Sequence, residues 1–268
     1  MRNTPPIHPT AIIADGAQIA PDVQIGPYCV VGPHVSLAAG VRLVSHVVMD
    51  GHTSVGEGTV IYPFASLGTP PQDLKYAGED SRLVIGAHNT IREYVTMNPG
   101  TKDGGMETRV GDYGLFMMSS HVAHDCQVGD RVIMANNATL AGHVQVGNFV
   151  ILGGLSAVHQ FVRIGDHAII GGMSGVENDV IPYGRVKGER AFLAGLNLIG
   201  LERSGFGKEE VRALQRAFNQ LFGDEGTLDQ RIESVLQDFT ENETVMNIAR
   251  FAKAKTKFPL CQPPKKHA

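Results

Sequence analysis

The chain has no tryptophan, only three cysteines, and aromatic residues at 6% of its length. Cys29, Cys126 and Cys261 are too few and too scattered to build a disulfide framework, which points to a reducing compartment and an expected cytoplasmic location. No stretch approaches about 18 uninterrupted apolar residues, so no helical membrane span is expected. The opening MRNTPPIHPTAIIADGAQIA lacks a basic region followed by an apolar run, so no secretory signal is expected either. Neither sign of charge dominates: 23 Lys and Arg stand against 27 Asp and Glu, which argues against a general nucleic-acid binder. Glycine, by contrast, is plentiful at 32 of 268 residues. Much glycine with few aromatics is an unusual mix for a helical or doubly wound enzyme.

The arrangement of the apolar residues explains that mix. Steps of six from Ile7 reach Ile13, Ile19, Ile25, Val31, Leu37, Leu43, Met49, Val55, Ile61 and Leu67. The run breaks at TPPQDLKYAGEDSR, resumes at Ile85, Ile91 and Met97, and breaks again at GTKDGGMETR. From Val110 it continues through Phe116, Val122, Val128, Met134, Leu140, Val146, Leu152, Val158, Ile164, Ile170 and Val176. A six-residue period fits neither a helix nor an alternating strand; it is the signature of a hexapeptide β-helix. The residue two before each aliphatic is usually small or β-branched, which suits tight stacking on a neighbouring coil. Val110-Gly111-Asp112 recurs at Val128-Gly129-Asp130, Val146-Gly147-Asn148 and Ile164-Gly165-Asp166, eighteen residues apart. One coil therefore has three sides, and glycine at that corner is expected to permit a positive φ. The repeat predicts a mainly β fold over 1–187, with ejected loops near 69–83 and 100–109. Helical spacing in FLAGLNLIGLERSGF and the segments after it predicts a small helical domain over 188–268, and its tail PLCQPPKKHA is expected to be disordered.

A prism filled by stacked aliphatics has no internal room for a substrate, so a site must use the ejected loops, an edge, or a second chain. His121, His124, His143 and His159 flank Val122, Leu140 and Val158, which the coil places one above another. Four histidines on one edge suit an anionic substrate such as a nucleotide sugar. His124, with Asp125 beside it, suits a general base. Cys126 falls in the small stacking column, as do Ser120, Ser156 and Ser174, and so reads as packing. A zinc site from His121, His143 and His159 is the rival chemistry, but no zinc-like ligand spacing accompanies it, and no metal is expected. His34, His46, His52, His88 and His167 read as ordinary polar surface residues.

Across HPTAI, IGPYCVVGPHV, LVSHVV, QDLKYAGE, HVAHDC, ANNATLAGHV, GGLSAVHQF and GLNLIGLERSGF, the chain resembles the acyl-carrier-protein-dependent UDP-N-acetylglucosamine O-acyltransferases that open lipid A biosynthesis in Gram-negative bacteria. The resemblance covers nearly the whole chain. It implies a left-handed parallel β-helix and a homotrimer with sites between subunits. The implied reaction moves an (R)-3-hydroxyacyl group from acyl carrier protein to the sugar 3-hydroxyl without a cofactor. It also implies roles for individual residues. His124 would be the base, Asp125 its orienting neighbour, and the Gly142 amide the oxyanion donor. Gln72, Asp73 and Lys75 would contact the sugar and phosphate region, and His121, His143, His159 and Gln160 would line the cleft. Asn197 and Arg203 would hold the nucleotide end, and Gly172 would set acyl-chain length. The chain departs from the family pattern at Ile199 and Ser204, where an acidic and an arginine contact are missing, and at Asn98-Pro99 in TMNPGT. Acylation of a 3-amino analogue, or another hexapeptide acyl- or acetyltransfer, stays open as an alternative.

Overall fold

The computed structural model describes residues 7–264. Three parallel sheets form the walls of a triangular prism, wound as a left-handed β-helix. The chain visits the walls in turn, so each takes every third strand. The first wall runs from Ile12–Ile13 to Gly175–Val176 and the second from Gln18–Ile19 to Arg163–Ile164. The third runs from Gln24–Ile25 to Gly184–Lys187. Most strands have two residues, one facing out and one facing in, as in Gln127–Val128.

The inward residues are those of the six-residue period. Ile61, Leu67, Ile91, Phe116, Val122, Met134, Leu140 and Leu152 are all fully buried. Val122, Leu140 and Val158 pair in register on successive coils, as an eighteen-residue coil dictates. Burying each such side chain contributes roughly 1.5–3 kcal/mol relative to exposure. Cys29, Val35, Val41, Cys126, Val132 and Ala138 fill the small positions beside the corners.

Most corners are turned by a residue at positive φ, but over the later coils that residue is not the repeating glycine. At one edge the left-handed residues are Tyr113, Arg131, Phe149 and His167, two positions after Gly111, Gly129, Gly147 and Gly165. The expectation that these glycines supply the positive φ is therefore corrected. They are needed for close approach. A Cβ on Gly147 would lie 2.4 Å from Asp166 Oδ1 and 2.7 Å from the Asp166 amide nitrogen. The carboxylate stands there because Asp166 Oδ1 accepts the Asn148 N–H at 2.7 Å. Asp130 Oδ1 likewise accepts from Asp112 and Asn148 Oδ1 from Asp130, both at 2.8 Å.

Beyond the coils, FLAGL (Phe192–Leu196) is an antiparallel strand against Gly184–Lys187, where helical spacing suggested a helix. The free edge of the third wall offers backbone partners, and the segment answers it by burying Leu193. Four helices follow: α1 (Leu198–Arg203), α2 (Lys208–Leu221), α3 (Leu228–Asp238) and α4 (Glu243–Lys253). Asn197, Thr227 and Asn242 cap α1, α3 and α4 with their side chains, and Thr227 forms a reciprocal capping box with Gln230.

The tail expected to be disordered is ordered over Pro259–Gln262; residues 265–268 lie outside the described residues. The Asp179 N–H donates to Pro259 O at 3.0 Å, Cys261 N–H to Asp179 O at 2.7 Å, and Leu193 N–H to Gln262 O at 2.9 Å. The wholly buried Asp179 carboxylate fixes the segment, accepting from Arg163 Nε and from Thr256 Oγ1, each at 2.8 Å.

Because Gly147 is required for space and not for φ, Gly147→Ala should destabilise the fold by about 1–3 kcal/mol through overpacking. A denaturant midpoint equal to that of the parent protein would show that the corner has room.

Candidate active site

Both ejected loops leave the prism where the first wall hands over to the second. One spans 68–81 and the other 98–106. On the next three coils the same edge carries His124-Asp125, Gly142-His143 and Gln160-Phe161. The loops and the histidines thus share one edge.

Asp125 is the fixed point of this edge. It is itself a left-handed corner residue, with φ 60, and its side chain is fully enclosed. The second loop holds it from several sides. Thr101 N–H donates to Oδ1 at 2.9 Å and Thr101 Oγ1–H to Oδ2 at 2.6 Å. The Asp125 N–H donates to Thr108 Oγ1 at 2.7 Å. Gly104 packs so closely that an added Cβ would lie 1.9 Å from the carboxyl carbon.

Asp125 Oδ2 lies 2.8 Å from His124 Nδ1. A carboxylate accepts and does not donate, so this contact places the imidazole proton on Nδ1 and leaves the lone pair on Nε2. That nitrogen lies beside Gly142, where a Cβ would come within 2.6 Å of it. The Gly142 N–H has no acceptor among the described residues. A proton acceptor and an unspent amide donor therefore stand side by side.

The four histidines do not form a single ladder. His143 meets His124 edge-on at 5.0 Å and stacks on Phe161 at 4.3 Å, its Nδ1 3.8 Å from Asp125 Oδ2. His121 turns to Thr96 Oγ1 at 2.7 Å, and His159 sets its ring edgewise to Phe258 at 5.3 Å. The zinc trio weighed from the sequence is not drawn together; the ligand atoms within 4.8 Å of one another are those of His124, Asp125 and His143. In that trio the Asp125 oxygens already accept from Thr101 and His124. Burial pushes the Cys126 thiol up to about 12, and its Sγ donates to Ala141 O, so it offers no thiolate at neutral pH.

In the first loop Gln72 and Lys75 are exposed and Asp73 is half-buried, with a charge that acts on His143. Asn98 anchors this loop at its root, where Nδ2 donates to Thr69 O at 3.0 Å. Asn197 and Arg203 are elsewhere. They line a groove on the third wall, the side of the prism opposite the histidine edge. The Asn197 side chain caps α1 through Gly200 N–H at 3.1 Å and donates to His167 O at 2.9 Å. Gly172 lies at yet another edge, between the third and first walls, where a Cβ would come 3.2 Å from Gly154 O. One chain therefore divides the expected site residues among three places.

Sequence reasoning missed Thr101, Thr108 and Gly104, which fix Asp125, and Phe161 and Lys257, which back His143. Lys257 Nζ sits 3.5 Å over the Phe161 ring. Counting coils would have found Thr101, since Thr96 pairs with His121 and puts the second loop directly over HVAHDC. Nothing in the sequence announces Lys257, which the buried Asp179 clamp brings to the edge. The five histidines read as plain surface are instead members of ring stacks. His46 sits between Tyr28 and Phe64, His88 on Tyr113, His167 between Phe149 and Tyr183, and His34 on His52.

Residues 7–39 match the family described as "Bacterial transferase hexapeptide (six repeats)", and residues 179–260 match "Udp N-acetylglucosamine O-acyltransferase; Domain 2". A Rickettsia rickettsii (strain Sheila Smith) protein named acyl-[acyl-carrier-protein]--UDP-N-acetylglucosamine O-acyltransferase is 60% identical over 256 residues, covering 96% of this chain and 97% of its own. A Caulobacter vibrioides protein of the same name is 54% identical over 257 residues, covering 96% and 98%. The solved UDP-N-acetylglucosamine O-acyltransferase of Moraxella catarrhalis is similar at a TM-score of 0.93 and 41% identity, covering 96% of this chain and 99% of that one.

Burial lowers the pKa of both His121 and His143, outweighing Thr96 at the first and Asp125 at the second. Their neutral forms are thus favoured in the fold, and the unfolded chain takes up protons first as the pH falls. The resulting stability is present above the ordinary value of about 6.5 and lost as pH falls through the lowered folded values. Denaturant midpoints should fall with pH below that point, and less steeply in His143→Phe, which keeps the stack on Phe161. An unchanged slope in that variant would remove His143 from the account.

Proposed function

The chain belongs to the acyl-[acyl-carrier-protein]--UDP-N-acetylglucosamine O-acyltransferases, and we propose that it moves an (R)-3-hydroxyacyl group from acyl carrier protein to the 3-hydroxyl of UDP-N-acetylglucosamine, the first step of lipid A biosynthesis. The observation that carries the mechanism is the His124 Nε2 lone pair beside the free Gly142 N–H.

A sugar hydroxyl is a weak nucleophile at neutral pH and needs a positioned base. His124 Nε2 takes its proton as the oxygen attacks the thioester carbonyl and the new C–O bond forms. The Gly142 N–H stabilises the oxyanion. The tetrahedral species collapses, the C–S bond breaks, and the proton passes from His124 to the departing sulfur. Asp125, gripped by Thr101 and Thr108, keeps the imidazole in the productive tautomer and orientation and stabilises its protonated form. No metal or other cofactor enters these steps. Gln72, Asp73 and Lys75 reach the sugar and phosphate from the first loop, while His121, His143, His159 and Gln160 line the cleft. Arg203, on a helix whose start Asn197 fixes, meets the nucleotide, and Gly172 leaves space for the acyl chain.

These groups lie on different sides of one prism, so the proposed site forms between copies of the chain, most simply in a cyclic homotrimer. No helix among the described residues is long and apolar enough to cross a membrane, and a cytoplasmic enzyme is the reading that fits the scattered free cysteines.

Transfer from acyl carrier protein, followed by mass spectrometry of the sugar product, tests the reaction. His124→Ala should lower kcat by at least about 100-fold with a much smaller change in KM. Thr101→Val should cost on the order of tenfold in kcat, since Asp125 loses one charge-assisted bond of about 1.5–3 kcal/mol. Near-normal turnover in folded His124→Ala would refute the base assignment. Mixed assemblies test the split site. His124→Ala and Arg203→Ala chains, each impaired alone, should on mixing regain up to roughly a quarter of the parent activity in a cyclic trimer. No recovery in verified mixed trimers would place both residues in one chain's site.

A further inference from the structure

Lys257 reaches the histidine edge from the tail, and both of its chain neighbours are tied down. Thr256 Oγ1 donates to the buried Asp179 carboxylate at 2.8 Å, and the Phe258 ring meets His159 edge-on at 5.3 Å. Between them the Lys257 ammonium stands 3.5 Å from the centre of the Phe161 ring. His143 stacks on the same ring, parallel within 2° and 4.3 Å from centre to centre. A parallel ring at that distance fills the space over the face it covers, so the ammonium lies on the other face. Phe161 is thus a spacer with an imidazole on one side and a cation on the other. No carboxylate pairs with Lys257 among the described residues. Its charge is offset by the ring face and by solvent.

The placement matters because two histidines face one carboxylate. Asp125 Oδ2 lies 2.8 Å from His124 Nδ1 and 3.8 Å from His143 Nδ1. That oxygen already accepts from Thr101 Oγ1–H and from His124, which occupies both of its lone pairs. A neutral His143 makes no demand on it. A protonated His143 would draw Asp125 away from His124. It would also stand 5.0 Å from the positive charge that His124 acquires on taking the sugar proton. The surroundings of His143 are divided. Burial and the charges of His124 and Lys257 disfavour its protonation, whereas those of Asp125 and of Asp73 in the first loop favour it.

We propose that Lys257 is a positioning residue for acyl transfer: from behind Phe161, its ammonium keeps His143 uncharged and so reserves Asp125 for His124. This rests on the reading of His124 as the base. It gives the Asp179 clamp a function at the site, since the clamp holds the ammonium against the ring.

Two readouts on the full-length protein test it. The first is NMR titration of histidine-labelled protein, with the His143 resonance assigned by its loss in His143→Phe. Lys257→Met keeps the length of the side chain and removes its charge, and should raise the pH at which His143 titrates. Lys257→Arg should leave that pH as in the parent. The second readout is the pH profile of kcat. The ratio of kcat at about pH 6 to kcat at about pH 8 should fall about threefold in Lys257→Met, the effect of one nearby charge under water-like screening. Lys257→Arg should keep the parent ratio. A lysine that served only to pack the edge would lower kcat equally at both pH values. His143→Phe retains the stack and removes the titrating group, so adding Lys257→Met to it should leave its ratio unchanged. An unmoved His143 titration in folded Lys257→Met, or an equal fall in the ratio with and without His143, would overturn the proposal. The two readings fail separately. If His124→Ala turns over normally, the base assignment is wrong whatever the titration shows. If His124→Ala is inactive and the His143 titration does not move in Lys257→Met, the base stands and Lys257 has no such role.

Discussion

Nearly all corners of the coil turn through left-handed residues, and much of the molecule follows from that constraint. A left-handed conformation costs a non-glycine residue roughly 1–2 kcal/mol. The coil offsets the cost in two ways. The corner N–H donates to the preceding coil, as His143 does to His124 O at 3.0 Å and Phe161 to Gly142 O at 3.1 Å. The corner side chain lies on its counterpart one coil away, which explains why so many of these residues are Tyr, Phe or His. Between the third and first walls Tyr28, His46, Phe64 and Tyr94 form such a stack, with ring centres 5.0 to 5.1 Å apart.

On the edge between the first and second walls the same slots hold Asp125, His143 and Phe161. The candidate catalytic group is therefore a local change of residue type on a structural track and needs no special backbone. What makes this edge different is the pair of loops that leave it. The second loop supplies Thr101, Thr108 and the close approach of Gly104, which turn a corner aspartate into a rigid acceptor for His124. Preorganisation of this kind is inexpensive in a β-helix, because each coil is already positioned by the ones on either side.

The six-residue period made the walls, the coil length and the location of both loops legible, because the inward aliphatic positions repeat throughout each run and most positions two before them are small or β-branched. It also placed HVAHDC on an edge and Cys126 in a packing column. It misassigned the corner glycines, since conformational freedom and close approach both call for glycine and the sequence does not distinguish them. FLAGL read as helical because apolar spacing over five residues cannot register an unpaired sheet edge waiting beside it. The division of His124, Arg203 and Gly172 among different sides of the prism was invisible for another reason. Motifs give order along a chain, whereas which wall a residue faces depends on its remainder within the coil and on where the repeat ends.

The Asp179 clamp has a consequence for how the molecule comes to exist. Each coil contacts only its neighbours, so the prism can grow turn by turn as the chain leaves the ribosome. Phe161 and His143 would be in place early in that process. Lys257 and Phe258, which close over Phe161 and His159, are synthesised nearly a hundred residues later and can dock only once Asp179 has captured their segment. The floor of the histidine edge is thus one of the last parts to form. A nascent chain can hold a finished scaffold while its histidine edge is still unfinished.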